Sequence, residues 1–328
     1  MNSWEQVLQL LGYTFVQRAF LIGAVIALLA SLLSVFIVLK SVSLIGDGLA
    51  HTAFGGLAIG YYIGVAPLWV AGTLVVLASM GITKVTRSTK ITSDAAVAIF
   101  LTLGLAAGIL FLGLGQGYGI DLESLLFGSI LLSSESQIYI AAIVLGATLI
   151  AILASYRKLV YTVFSESQAE AAGIRTWTFD YLVAALTGVA VIVSIPITGV
   201  LLIAALLVLP GLISIQVSRS FRETMLLSPV FGLVSVSVGI LLSLFLDVAP
   251  GSTIVLTGLA TLAAVVVAKR LGRVPASREA VEASAPAPAV PAEVGAGLAH
   301  PGATEDGPTG SGGPTPGAAP ALAIRPVD

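Results

Sequence analysis

The sequence predicts an all-α fold: a polytopic membrane protein with about eight or nine transmembrane helices in each protomer. Three observations predict it. Only 10% of the 328 residues are charged, against about 25% in a soluble domain. Hydrophobic residues make up 57% of the chain, with a mean hydropathy of +1.05. They gather in runs of about 20, the length that crosses roughly 30 Å of hydrocarbon at 1.5 Å per residue. A surface this poor in charge faces lipid rather than water. The same composition excludes other classes. A net charge of −2 without a basic patch leaves nothing to neutralise phosphates, so no nucleic acid is expected as a partner. The absence of cysteine removes disulfides, iron–sulfur ligation and thiolate sites, so any metal here is held by oxygen and nitrogen.

Residues 1–17 lack a basic leading region and mix Trp4, Glu5 and Gln9 with leucines. They read as an interfacial segment rather than a cleavable signal. The apolar transmembrane region follows at 18–271. Its first span is 19–39, and further spans are expected at 43–64, 66–83, 94–115, 136–155, 179–195, 198–217, 226–246 and 251–268. Charge placement tests this division, because Lys and Arg accumulate in cytoplasmic loops. With these spans Lys40, Lys84, Arg87, Lys90, Arg157, Lys158 and Arg175 fall on one side, as do Arg219, Arg222, Lys269, Arg270 and Arg273. Asp121, Glu123, Glu135 and Asp247 fall on the other, with Arg18. The basic side is therefore expected in the cytoplasm, together with the C-terminus, in a multi-pass protein of the plasma membrane.

Three connections differ from simple turns. Residues 116–135 form a long outer connection whose apolar second half fits a short re-entrant helix. Residues 156–178 form the longest cytoplasmic connection before the tail. Residues 272–328 turn abruptly to Pro, Ala, Gly and Glu, too poor in branched and aromatic side chains to bury a core, and are expected as a disordered cytoplasmic tail.

Charges inside a membrane cost at least about 2.5–3.5 kcal/mol each. Asp94 and Asp180 sit at span ends, within reach of water. Only Asp47 and His51 lie well inside a span, in SLIGDGLAHTAFGGLAIG. Their i, i+4 spacing puts both on one helix face. That spacing serves a shared divalent cation and a plain hydrogen-bonded pair equally well. Gly56, Gly60 and Gly64 follow at intervals of four, a pattern of close helix packing. Asp121, Glu123 and Asp247 are either solvated loop charges or the lining of a cation-attracting outer vestibule. Pro196 and Leu209-Pro210-Gly211 mark helix breaks. There is no Gly-x-x-x-x-Gly-Lys-Ser/Thr loop and no His-Glu-x-x-His, so no ATPase or zinc-protease activity is expected of this chain.

The segment SLIGDGLAHTAFGGLAIGYYIG resembles the second-helix signature of the zinc/manganese (ABC-3 type) ABC permeases, in which Gly-Asp is followed by His four residues after the Asp. DLESLLFGSIL, TGVLLIAALLVLPGLISIQVSRS and LDVAPGSTIVL are similar to later segments of that family, in the same order, over roughly residues 15–270. The resemblance implies a membrane permease subunit of an ATP-driven importer for a divalent transition metal, zinc or manganese, with iron(II) also compatible. It implies a homodimer with its pathway on the dimer axis, two cytoplasmic ABC ATPase subunits, an extracytoplasmic metal-binding protein, and no permanently bound cofactor beyond the transported metal. It places Asp47 and His51 at the metal site. It makes SESQAEAAGI similar to the family's ATPase-coupling helix, with Ser165, Ala169 and Gly173 at the characteristic positions. Oxygen and imidazole ligands suit zinc, manganese or iron(II) and disfavour Cu(I). Two other readings remain: an ion-coupled secondary transporter with Asp47 as its coupling acid, and an ABC permease for a metal chelate.

Overall fold

The computed structural model describes residues 12–89, 91–115 and 134–271, and these are helical almost throughout. Ten helices follow one another among the described residues: α1 Thr14–Leu39, α2 Ile45–Ile63, α3 Pro67–Ser88, α4 Ser93–Leu114, α5 Glu135–Phe164, α6 Glu166–Ala171, α7 Thr176–Leu206, α8 Leu209–Val217, α9 Phe221–Leu246 and α10 Pro250–Arg270. Residues 1–11, most of the 116–135 connection and the expected tail at 272–328 lie outside them, and with them Asp121 and Glu123.

Local sequence sets the boundaries. Pro67 and Pro250 occupy the first turns of α3 and α10, where a missing N–H has no intrahelical partner to lose. Thr92 caps α4 by accepting from the Ala95 N–H. Ser220 caps α9 by accepting from the Glu223 N–H, and the Glu223 carboxylate accepts in return from the Arg219 N–H. Gly64 ends α2 in the left-handed region, at φ +70, so it terminates a helix rather than packing one.

Among the described residues seven helices are long and apolar enough to cross a membrane: α1, α3, α4, α5, the first 24 residues of α7, α9 and α10. The 19-residue α2 falls short in apolarity because it carries Asp47, His51 and four of its glycines in one stretch. It compensates by burial. α2 packs against α3, α4 and α7, while α1 packs against α5, α7, α8 and α9. α7 touches both groups and joins them. The core lies along α1, where Ile22, Ile26, Leu29, Leu33 and Phe36 are fully buried. Large apolar side chains such as Trp69, Leu103, Ile143 and Leu226 point outward, as lipid-facing positions do.

Three expectations need correction. The helix of the fifth span does not stop near residue 155 but continues to Phe164, so the 156–178 connection shrinks to α6 and its flanking turns. The break near Pro196 falls at Gly199 instead, at φ 75 and ψ 168. Only glycine tolerates that conformation, whereas Pro196 is accommodated inside the helix. The expected 198–217 helix is interrupted again at Leu207–Val208, because Pro210 lies in the first turn of α8 and starts that helix rather than kinking it.

Candidate functional site

Asp47 lies in the first turn of α2 and His51 one turn on. Most of that helix is buried, from Ile45 and Gly46 through Leu49, Ala53 and Leu57 to Gly60. Asp47, His51 and Phe54 remain half-buried, and their spacing places them on one stripe. Three neighbours close the rest of the circumference at glycines. A Cβ at Gly46 would meet the Ala204 backbone of α7 at 3.1 Å, one at Gly56 the Ala71 backbone of α3 at 2.5 Å, and one at Gly60 the Pro67 backbone at 2.6 Å. Gly55 and Gly104 mark the crossing of α2 with α4, where a Cβ on Gly104 would stand 2.6 Å from the Thr52 nitrogen and 2.7 Å from the His51 carbonyl carbon. The backbone bearing the histidine is thus held by a glycine on another helix. Nothing in the local sequence around Asp47 and His51 signals this support.

Neither Asp47 nor His51 hydrogen-bonds or ion-pairs with the other, or with any other side chain among the described residues. Their neighbour Thr52 is satisfied internally, donating to the Gly48 carbonyl at 2.8 Å. Asp47 and His51 thus stand one turn apart on α2, half-buried and without a hydrogen-bond or ion-pair partner among the described residues. Among the described residues no third His, Cys, Asp or Glu joins them within the chain.

The remaining predicted positions separate. Ser165 caps α6 by accepting from the Gln168 N–H at 3.3 Å. Ala169 is fully buried, so its small side chain lets α6 lie against its own chain rather than presenting a surface. Gly173 turns the chain after α6 at φ +78. Asp247 is exposed and ends α9 at φ +54, a left-handed conformation to which aspartate adapts more readily than most residues. It thus has a backbone role in the helix end. Asp94 sits in the first turn of α4, where its charge complements the helix dipole. Asp180 departs most from expectation. Its side chain is only 14% exposed and is held by Lys40 and Arg87 rather than by water. Its charged partners come from the end of α3 and the residue after α1, far away in sequence, so no local pattern announces them.

The contacts also sort the bundle into two ends. Arg18 meets Glu135 at 2.5 Å at one. Lys40, Arg87, Glu166 and Asp180 gather at the other, where Lys269 also donates to Gln216 at 3.0 Å. Arg18 with Glu135, and Lys40 with Arg87, fall together as the sequence predicts.

Residues 12–269 match the model of the ABC 3 transport family. The chain belongs to that family. The manganese transport system membrane protein MntC of Halalkalibacterium halodurans is 29% identical over 248 residues, covering 76% of this chain and 85% of the relative. A Thermotoga maritima protein named a probable metal transport system membrane protein is 31% identical over 247 residues, 75% of this chain and 87% of that one. Among solved structures, PsaBC from Streptococcus pneumoniae in complex with Fab superposes with a TM-score of 0.70 at 29% identity, covering 80% of this chain and 94% of that chain. As a member of the ABC 3 transport family, the chain is a polytopic membrane permease for metal transport.

Proposed function

We propose that this permease imports a divalent transition-metal ion, zinc or manganese, across the plasma membrane, with Asp47 and His51 as the ligands that pass it through the bilayer. The observation that carries the proposal is the half-open stripe on α2. An acid and an imidazole facing hydrocarbon would be costly, and neither hydrogen-bonds or ion-pairs with another side chain among the described residues. A second copy of the chain facing the same stripe removes that cost. Two carboxylates and two imidazoles then surround one ion, and their two negative charges balance a dication. Oxygen and nitrogen ligands fit zinc, manganese and iron(II). A site shared between protomers also opens when they part, as release of a cargo requires.

In this reading two cytoplasmic ABC ATPase subunits drive the cycle, and an extracytoplasmic metal-binding protein delivers the ion. Ser165, Ala169 and Gly173 shape α6 as the seat for the ATPase, on the cytoplasmic side with the C-terminus. The name of the Halalkalibacterium halodurans relative favours manganese as the first metal to test.

The experiment is metal-resolved uptake, by elemental analysis, in cells carrying the chain or its Asp47→Asn variant. Replacing a ligand should lower uptake at least about tenfold, the lower bound seen even for groups that only orient ligands. The dimer should persist in detergent. Undiminished zinc and manganese uptake by Asp47→Asn would remove the ligand role.

A further inference from the structure

Five charged side chains meet where the ends of α1 and α3 approach α6 and the start of α7. The Arg87 guanidinium, in the last turn of α3, pairs through Nη1 with Asp180. Through Nη2 it reaches Glu166 at 2.6 Å and Glu170 at 3.8 Å. The same nitrogen donates to the Thr176 hydroxyl at 3.0 Å. Thr176 is fully buried and donates in turn to Glu170 at 2.8 Å or Glu166 at 3.1 Å; one hydroxyl hydrogen serves one of these at a time. Lys40, the residue after α1, completes the cluster on Asp180. Alongside lies a cavity of about 550 Å³ lined by Lys40, Arg87, Glu166 and Asp180 and by apolar side chains such as Phe36 and Ile82, so the charged side chains border open space on one side.

We propose that Arg87 is a positioning residue that transmits displacement of α6 to the membrane helices, an inference that rests on reading α6 as the ATPase seat. Both glutamates of α6 converge on this guanidinium, and its other edge grips α7 through Asp180. Movement of α6 therefore pulls on α3 and α7 together. α3 is in backbone contact with α2 at Gly56 and Gly60, one helix away from Asp47 and His51. Lys40 leads within five residues into the start of α2, which ties the cluster to the site a second time. The role requires arginine, because a planar fork engages several acceptors in fixed directions whereas a lysine ammonium acts as a point charge.

The test uses the permease purified with its ATPase and reconstituted in liposomes, measuring Mn²⁺ or Zn²⁺ transported per ATP hydrolysed. Arg87→Lys and Thr176→Val should keep the complex assembled and hydrolysing ATP, while the metal-to-ATP ratio falls at least about fivefold, the lower range of coupling between sites. A purely structural role would lower transport, hydrolysis and thermal stability in proportion and leave the ratio unchanged; that outcome, or wild-type ratios in both variants, overturns the proposal. Thr176→Val carries the test should Arg87→Lys fail to fold. Gln168→Arg, on the exposed side of α6, separately examines the seat: retained ATPase binding would count against α6 as the docking site, whereas the Arg87 inference stands or falls on the ratio.

Discussion

Gly104→Ala is the sharpest test of how the fold supports the site. The added methyl would lie 2.6 Å from both the nitrogen and Cα of Thr52 and 2.7 Å from the His51 carbonyl carbon. Carbon contacts settle at about 3.5–4.0 Å, so α4 and α2 must separate by about 1 Å. The obstacle is helix backbone, which cannot rotate aside, so the cost belongs at the upper end of the roughly 1–3 kcal/mol typical of overpacking. A displacement of that size is also large beside metal–ligand bonds of about 2.0–2.2 Å, and a misplacement of about 1 Å can cost on the order of a hundredfold in function. Thermal unfolding in detergent and Mn²⁺ or Zn²⁺ uptake are the paired assays. Gly113→Ala, on the same helix with nothing within 4 Å of the added carbon, is the control. Gly104→Ala should melt lower and lose most uptake, while Gly113→Ala should match or slightly exceed the parent in stability, as removing a helical glycine ordinarily does. Equal melting and uptake for the two variants would refute the argument that this crossing holds His51 in place.

Two further substitutions probe the bundle away from the site. Ser34, fully buried in α1, accepts from the Gly211 N–H at 2.8 Å and donates to the Val208 carbonyl at 3.2 Å, satisfying groups freed by the break between α7 and α8. Ser34→Ala should cost about 1–3 kcal/mol for each buried group left unpaired, read as a lower denaturation midpoint. Arg18→Gln should leave stability within about 1 kcal/mol, because the Arg18–Glu135 ion pair is largely exposed; a large loss in a melting experiment would mean that this end of the bundle is far better shielded than the fold indicates.

Much of the molecule was legible before any coordinates. Composition and run length determined the membrane class and most of the division into spans, because partition into hydrocarbon depends on sums over neighbouring residues; the polar α2 and the interrupted 198–217 segment fall outside it. The polar content of α2 singled out Asp47 and His51, since an intramembrane charge stands out against an apolar background. Proline and glycine announced interruptions in α7 and α8, but not which residue would bend: that depended on where backbone packing demanded φ 75, and Gly199 alone met it. The openness of the α2 stripe, the glycine crossing at Gly104 and the ion cluster on Asp180 came only with tertiary structure. The crossing and the cluster join residues tens to more than a hundred positions apart, and no local pattern encodes which distant side chain will arrive. Sequence alone thus determined that the chain crosses a membrane and which polar residues its apolar segments carry. Packing decided which of those residues pair within the described bundle and which are left half-buried without a hydrogen-bond or ion-pair partner there, because hydrogen bonds and ion pairs depend on proximity in space rather than on order along the chain.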